Sequence, residues 1–328
     1  MGISYSKAVH TPTSIPTPTH TPPAAEMSST LRESDGLFQV HPAQSRQRQC
    51  SLDIVFVHGL GGDSYTTWTK DTTHWPKDLL PTLECFENAR ILTFGYNTSG
   101  FFTKNADEHR ARTFTCAEIL VSDLKTFRRR GAQDRPIIFV GHSLGGLVIK
   151  SALRHAILRR ALYGDIVDST RAIIFFSTPH QGTSQEAWKA FFARLGESKI
   201  EKSSVISELE VWSDMLTELT TEFADLATQI KITSFYERRF TKGVMIVPEA
   251  VAKMGQKNEQ SRALDTDHLD ICRFTETDAN WRTVSNHLDA IVADIEDLAE
   301  LQNLPPLSTQ VANDASLKQR FESLDRCR

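Results

Sequence analysis

Cysteine is scarce and scattered. Cys50, Cys85, Cys116, Cys272 and Cys327 stand far apart, and no two form a C-x-x-C pair. That argues against a disulfide framework or a zinc site, and it favours a reducing, intracellular setting. Long apolar runs are missing too: none approaches the ~18 residues that a membrane-spanning helix needs. The N-terminus lacks the apolar core of a secretory signal. Positive charge is not in excess, since 37 Lys and Arg face 41 Asp and Glu for a net −4. No nucleic-acid partner is therefore expected, because such partners call for a basic face. There is no G-x-x-x-x-G-K-[ST] phosphate loop and no internal repeat. What remains is a chain of 328 residues with 40% apolar and 24% charged residues, an ordinary globular balance with material for a sizeable core.

Residues 1–50 read as a disordered tail. "TPTSIPTPTHTPP" is Thr/Pro-rich, has no periodicity and buries too little apolar surface to offset its ordering entropy. At its head, "MGISYSK" fits M-G-x-x-x-[ST], which makes Gly2 a candidate N-myristoylation site and a peripheral membrane contact, with a chance match as the alternative. From residue 52 onward strands and helices alternate. Strands are expected in "LDIVFV", "ARILTFGYN" (89–97), "PIIFVGHS", "RAIIFF", "IKITSFYE" (230–237) and "VMIVP" (244–248). Helices are expected over 117–129, over 144–162, over 186–195 and 204–229, and near 280–301. The pattern predicts an α/β fold with a doubly wound, mostly parallel sheet. The domain is expected to span 51–303, with an insertion at 185–229 that forms either a helical lid or a crossover, and a tail over 304–328.

The stretch "RPIIFVGHSLGGLVIK" (135–150) carries the chemistry. A nucleophilic serine needs exposure, a base and donors for the oxyanion. Gly141 and Gly145 flank Ser143 in G-x-S-x-G, between a buried-type strand and a helix, and let the two elements approach closely around a tight elbow. A structural serine in a Gly-rich turn is the bland alternative. In "VFVHGLGG" the Gly-rich turn after an early strand suits an oxyanion loop. The donors would be the backbone N–H groups of Leu60 and of Leu144, with His58 bracing the loop. Gly59-x-Gly61 also resembles a dinucleotide loop, but the third position is Ser64 and no acidic residue follows a second strand about twenty residues on.

"VFVHGLGGDSYTTW", "HWPKDLLP", "ARILTFGYN", "RPIIFVGHSLGGLVIK", "FFSTPHQGT", "SFYE" and "DTDHLDICRF" together resemble, in this order, the serine-active-site-containing, serine esterase branch of the α/β-hydrolases. Similar domains stand at the N-terminus of fungal NACHT and ankyrin-repeat proteins, and "LKQRFESLDRCR" resembles the link before a NACHT module. A stand-alone enzyme and a shortened product both stay open. The resemblance covers about residues 50–300 and implies an α/β-hydrolase fold with lipase- or esterase-like activity. It also implies association with mitochondria and endoplasmic reticulum, as for some members of the lipid-remodelling branch.

Chain order in such hydrolases, nucleophile then acid then base, leaves His180, His268 and His287 for the base. His180 comes too early and is expected to hydrogen-bond nearby turns, and His287 lies inside a helical pattern. His268 sits in a polar loop and matches the family's Asp-His motif. For the acid, Glu237 ends the strand after the insertion and matches "SF-x-E". Glu249 is the runner-up, and Asp265 and Asp267 are expected to shape the loop through Asx turns. Trp188, Phe191 and Phe192 at near-helical spacing suit either an apolar cap or a crossover helix. The expectation is a serine hydrolase of lipid-like or small acyl esters that needs no cofactor or metal. A hydrolase-fold signalling or scaffold module with weak turnover, and a deacylase or amidase, are the alternatives.

Overall fold

The computed structural model describes residues 35–42, 50–98, 106–129, 131–195 and 214–303. Gly2, the tail from 304 and the middle of the 185–229 insertion lie outside the described residues. Seven strands form one sheet: β1 Gly36–His41, β2 Leu52–Val57, β3 Ala89–Gly95, β4 Ile137–His142, β5 Thr170–Phe176, β6 Lys231–Glu237 and β7 Glu259–Leu264. Their spatial order is β1-β3-β2-β4-β5-β6-β7, antiparallel only between β1 and β3. The expected doubly wound, mostly parallel sheet is the one observed.

Parallel strands need long crossovers, and helices supply them. These are α1 Ala106–Arg128, α2 Leu144–Leu158, α3 Arg160–Ser169, α4 Gln185–Arg194 and α5 Asp214–Ala227, while α6 Ala279–Asn303 follows the last strand. β2 and β4 are buried at every residue, and their apolar stretches 54–57 and 137–140 fit strands covered on both faces. Alternate residues serve two cores. Val55, Val57, Phe139, Ile173 and Phe175 pack with α1, α2 and α5, whereas Ile54, Phe56, Ile138, Val140 and Ile174 pack with α6. The apolar stripe of α6, Trp281, Val284, Leu288, Ile291 and Ile295, repeats every three or four residues, so one helix face closes the second core. Among the described residues no helix is long and apolar enough to cross a membrane.

Four expectations need correction. The stretch 1–50 contains β1, held because Leu37 and Val40 bury against the sheet and β3 offers an open edge. β7 was not anticipated: "EQSRAL" is an edge strand exposed along much of its length, so it carries no apolar run. The expected strand "VMIVP" is no strand. Only Val244 bridges, to Thr241, while Ile246 and Val247 turn inward. The single helix expected over 144–162 breaks at Arg159 (φ −113°, ψ 43°), and the new direction buries Ile166 and Val167.

At the start of β2, Asp53 has no solvent exposure and accepts from three guanidinium groups. Arg90 donates through Nε (2.9 Å) and Nη2 (2.7 Å), Arg128 through Nη1 (2.5 Å) and Arg135 through Nη1 (2.9 Å). One carboxylate thereby ties β2, β3, α1 and the turn before β4. Asp53→Asn removes the compensating charge and leaves buried cations. Denaturant unfolding should show a stability loss of about 3–5 kcal/mol.

Candidate active site

β4 ends at His142, and α2 begins at Leu144, so the turn between them is the single residue Ser143. Its φ of 51° and ψ of −122° are unusual for a side chain with a Cβ. The strain is held by the Ser143 N–H, which donates to the Phe176 carbonyl at the end of β5 (2.9 Å). Gly145 is needed because α2 is driven against the end of β2: a Cβ there would lie 2.1 Å from the Val57 carbonyl oxygen. A Cβ on Gly141, next to last in β4, would lie 2.8 Å from the Gly146 backbone.

Ser143 Oγ lies 3.0 Å from His268 Nε2, and His268 Nδ1 lies 2.7 Å from Glu237 Oε2. A carboxylate only accepts, so Nδ1 carries the ring proton. Nε2 is then free to accept from the serine hydroxyl. The other Glu237 oxygen, Oε1, accepts from the N–H groups of Ile246 (2.8 Å) and Val247 (2.9 Å). This is the work of the "VMIVP" segment, which folds back over the end of β6 to cradle the carboxylate. All three side chains are buried.

The loop after β2 comes within contact of the elbow. A Cβ on Gly59 would sit 2.9 Å from both Ser143 Cβ and the His142 carbonyl oxygen, so only glycine permits this approach. Leu60 and Leu144 are buried beside it, and among the described residues neither N–H has an acceptor. His58 braces the loop as expected. Its Nε2 accepts from the Tyr96 N–H (3.1 Å), its Nδ1 donates to the Gly59 carbonyl (2.9 Å), and its ring stacks on Tyr96 at 4.2 Å. Tyr96 OH returns a bond to the His58 carbonyl (2.7 Å). Burial pushes the His58 ring down to about 4, so it stays neutral.

Residues 54–288 match the Alpha/beta hydrolase family. The chain belongs to this family. Protein SERAC1 of Bos taurus is 30% identical over 290 residues, covering 80% of this chain and 42% of the relative; human Protein SERAC1 is 28% identical over the same shares. The hydrolase chain thus spans less than half the length of these curated relatives. Among solved structures, mature Bacillus licheniformis lipase BlEst2 is similar at 16% identity and a TM-score of 0.47, covering 72% of this chain and 92% of that one. A carboxylesterase study of the thaumarchaeon Nitrososphaera gargenis supplies another, at 14% identity and a TM-score of 0.48, covering 79% and 94%.

Glu249 is exposed and paired with Lys253 on a single helical turn, so it does not reach His268. Asp267 forms the expected Asx turn, accepting from Leu269 and Asp270 N–H (both 3.1 Å). Asp265 instead makes an exposed ion pair with Arg239 (2.7 Å). His287 donates to the Thr283 carbonyl inside α6 (2.9 Å). His180 departs from expectation. Its ring packs on Phe175 at 4.5 Å, and neither ring nitrogen has a partner among the described residues; its backbone N–H makes the bond, to the Val251 carbonyl (2.9 Å).

Trp188, Phe191 and Phe192 are buried, and Phe191 meets the His268 ring edge-on at 5.4 Å. Leu195, just past α4, fills the space where a Cβ on Gly61 would stand. α4 therefore lies over His268 and the Leu60 loop. Among the described residues no three His, Cys, Asp or Glu side chains converge as metal ligands would. Two features escaped the sequence reading: the paired N–H groups of Ile246 and Val247, which are backbone and leave no residue-type signal, and His142, which was visible inside "GHS".

Two turns along α2 from Ser143, Lys150 is fully buried. Its Nζ donates to Thr220 Oγ1 on α5 (3.1 Å) and lies 5.6 Å from the Phe223 ring. Burial lowers its pKa from 10.5 to about 7, opposed by Glu259. The unfolded chain keeps this proton up to about 10.5. The cost to the fold is therefore full below about 7 and fades as pH rises toward 10.5. Lys150→Met should stabilise the protein by about 1–3 kcal/mol near pH 6. Thermal unfolding of both proteins across this pH range should show the gap narrowing on the alkaline side.

Proposed function

We propose that this chain is a serine hydrolase that cleaves carboxylic esters through an acyl-enzyme. The observation that carries the reading is the unbroken contact from Ser143 Oγ to His268 Nε2 (3.0 Å) and from His268 Nδ1 to Glu237 (2.7 Å). Ser143 Oγ attacks the ester carbonyl carbon as His268 Nε2 takes its proton. Glu237 orients the ring and stabilises the imidazolium that results. The N–H groups of Leu60 and Leu144 receive the oxyanion, and the N-terminus of α2 favours negative charge there. As the tetrahedral species collapses, the leaving alkoxide takes the proton from His268 and departs as alcohol. Water then repeats the sequence on the acyl-enzyme: His268 accepts its proton, and the acid is released as Ser143 is restored.

The apolar cap formed by α4 supports lipid-like or other acyl substrates. Phe191 beside His268 and Leu195 beside Gly61 present carbon, not polar atoms, to the site. A closed apolar roof also keeps bulk water from the charges that develop.

Fluorophosphonate labelling of the purified protein, followed by hydrolysis of esters of increasing acyl length, tests the reading. The parent should label at Ser143, and Ser143→Ala should not. An unlabelled parent would replace the enzyme reading with a scaffold, and a labelled Ser143→Ala would move the nucleophile elsewhere.

The acid is tested separately. Glu237→Gln should lower kcat by about 10³–10⁴-fold, because it removes the carboxylate that orients His268. Glu249→Gln should leave kcat near the parent's. The opposite ranking in steady-state kinetics would reassign the acid.

A further inference from the structure

His142 precedes the nucleophile and is almost wholly buried, yet the mechanism above gives it no task. Its Nε2 lies 2.9 Å from the backbone carbonyl oxygen of His268, the candidate base 126 residues along the chain. We propose that His142 is a positioning residue, whose imidazole sets the height of the His268 loop over Ser143 by donating one hydrogen bond from Nε2 to the His268 carbonyl. The proposal rests on the serine-hydrolase reading for its kinetic consequence, though not for the hydrogen bond itself.

A carbonyl oxygen can only accept, so Nε2 must carry the proton of the neutral ring. Burial and the neighbouring His268 hold the His142 pKa well below the ordinary histidine range, so the ring remains neutral with a single N–H. One tautomer is therefore required. The same ring touches a third segment: its Nδ1 lies 3.0 Å from where a Cβ on Gly59 would be. A single imidazole is thus attached to the nucleophile elbow by its own backbone, to the base loop by a hydrogen bond, and to the oxyanion loop by packing.

The His268 loop has few other anchors near the base. Thr266 O accepts from the Arg238 and Arg239 N–H groups, two residues upstream, and Asp267 holds the turn that follows. Without the His142 bond, the His268 carbonyl is buried without its donor and the base loop can shift relative to Ser143 Oγ. Displacements on the order of 1 Å at reacting groups cost about 100-fold in rate.

Three measurements test this. His142→Phe keeps the ring volume and deletes the donor, whereas His142→Gln keeps an N–H at a similar reach. The Phe variant should lose about 10–100-fold in kcat with KM changed by less than about threefold, and its Ser143 should react correspondingly more slowly with fluorophosphonate. The Gln variant should recover kcat to within about fivefold of the parent. Parent-like kcat in His142→Phe, or equal impairment in both variants, overturns the proposal. If His142→Phe does not fold, the tautomer decides. Nitrogen-15 spectra of the histidine rings in the unaltered protein should show His142 protonated at Nε2 and bare at Nδ1, and an Nδ1–H tautomer overturns the proposal. That spectrum stands even if the parent fails to label, a result that would count against the hydrolase reading alone.

Discussion

A carboxylate sealed from water is tolerable only where donors surround it, and Glu237 is such a group. Its Oε1 takes the N–H groups of Ile246 and Val247, and its Oε2 takes the Nδ1–H of His268. Much follows from that arrangement. The chain leaving β6 must fold back on itself instead of continuing as a strand, since two of its N–H groups are committed to the carboxylate. The His268 ring is fixed in one tautomer and one orientation, which turns Nε2 toward Ser143. The loop after β7 must then approach from above the sheet, where the Asp267 turn and the contacts of Thr266 hold it.

The sheet makes this meeting possible. Side-by-side parallel strands bring their C-terminal ends to one edge, so residues distant in sequence arrive together. β4 delivers Ser143, β5 accepts its N–H at Phe176, and β6 delivers Glu237. β2 delivers the Leu60 loop, and Gly59 and Gly145 let backbone meet backbone where any Cβ would intervene. At the opposite end of the same strands, Asp53 and its three arginines clamp β2, β3 and α1. A polar clamp at one end and a strained elbow at the other are bridged by two apolar layers.

The surroundings of the serine are poor in fixed charge. Burial keeps His58, His142 and His180 neutral, and Phe191 closes over His268. In so dry a setting each hydrogen bond and each backbone dipole acts with little screening. The same dryness burdens the fold elsewhere. Lys150 rests its amine on a threonine hydroxyl and an aromatic face, and the His180 ring nitrogens have no partner among the described residues.

Elements whose residues answer to their own neighbours in sequence were legible. The continuous apolar run of β5 declared a strand buried on both faces, the short apolar runs of β2 and β4 declared strands, and the G-H-S-L-G-G sequence declared an elbow, because the glycines and the short turn are local requirements. His268 and Glu237 were reachable through chain order and family resemblance, but their contact was not, since ring and carboxylate meet only when β6 and the loop after β7 are laid together. Edge strands β1 and β7 escaped notice, as half-exposed strands need no continuous apolar run. "VMIVP" misled for the converse reason: its apolar side chains do bury, but its N–H groups serve a carboxylate instead of a neighbouring strand. Candidates for nucleophile, base and acid could be read along the chain, because side-chain chemistry travels with residue type. The backbone groups that hold them could not, because every residue but proline carries the same N–H and folding alone chooses where it points.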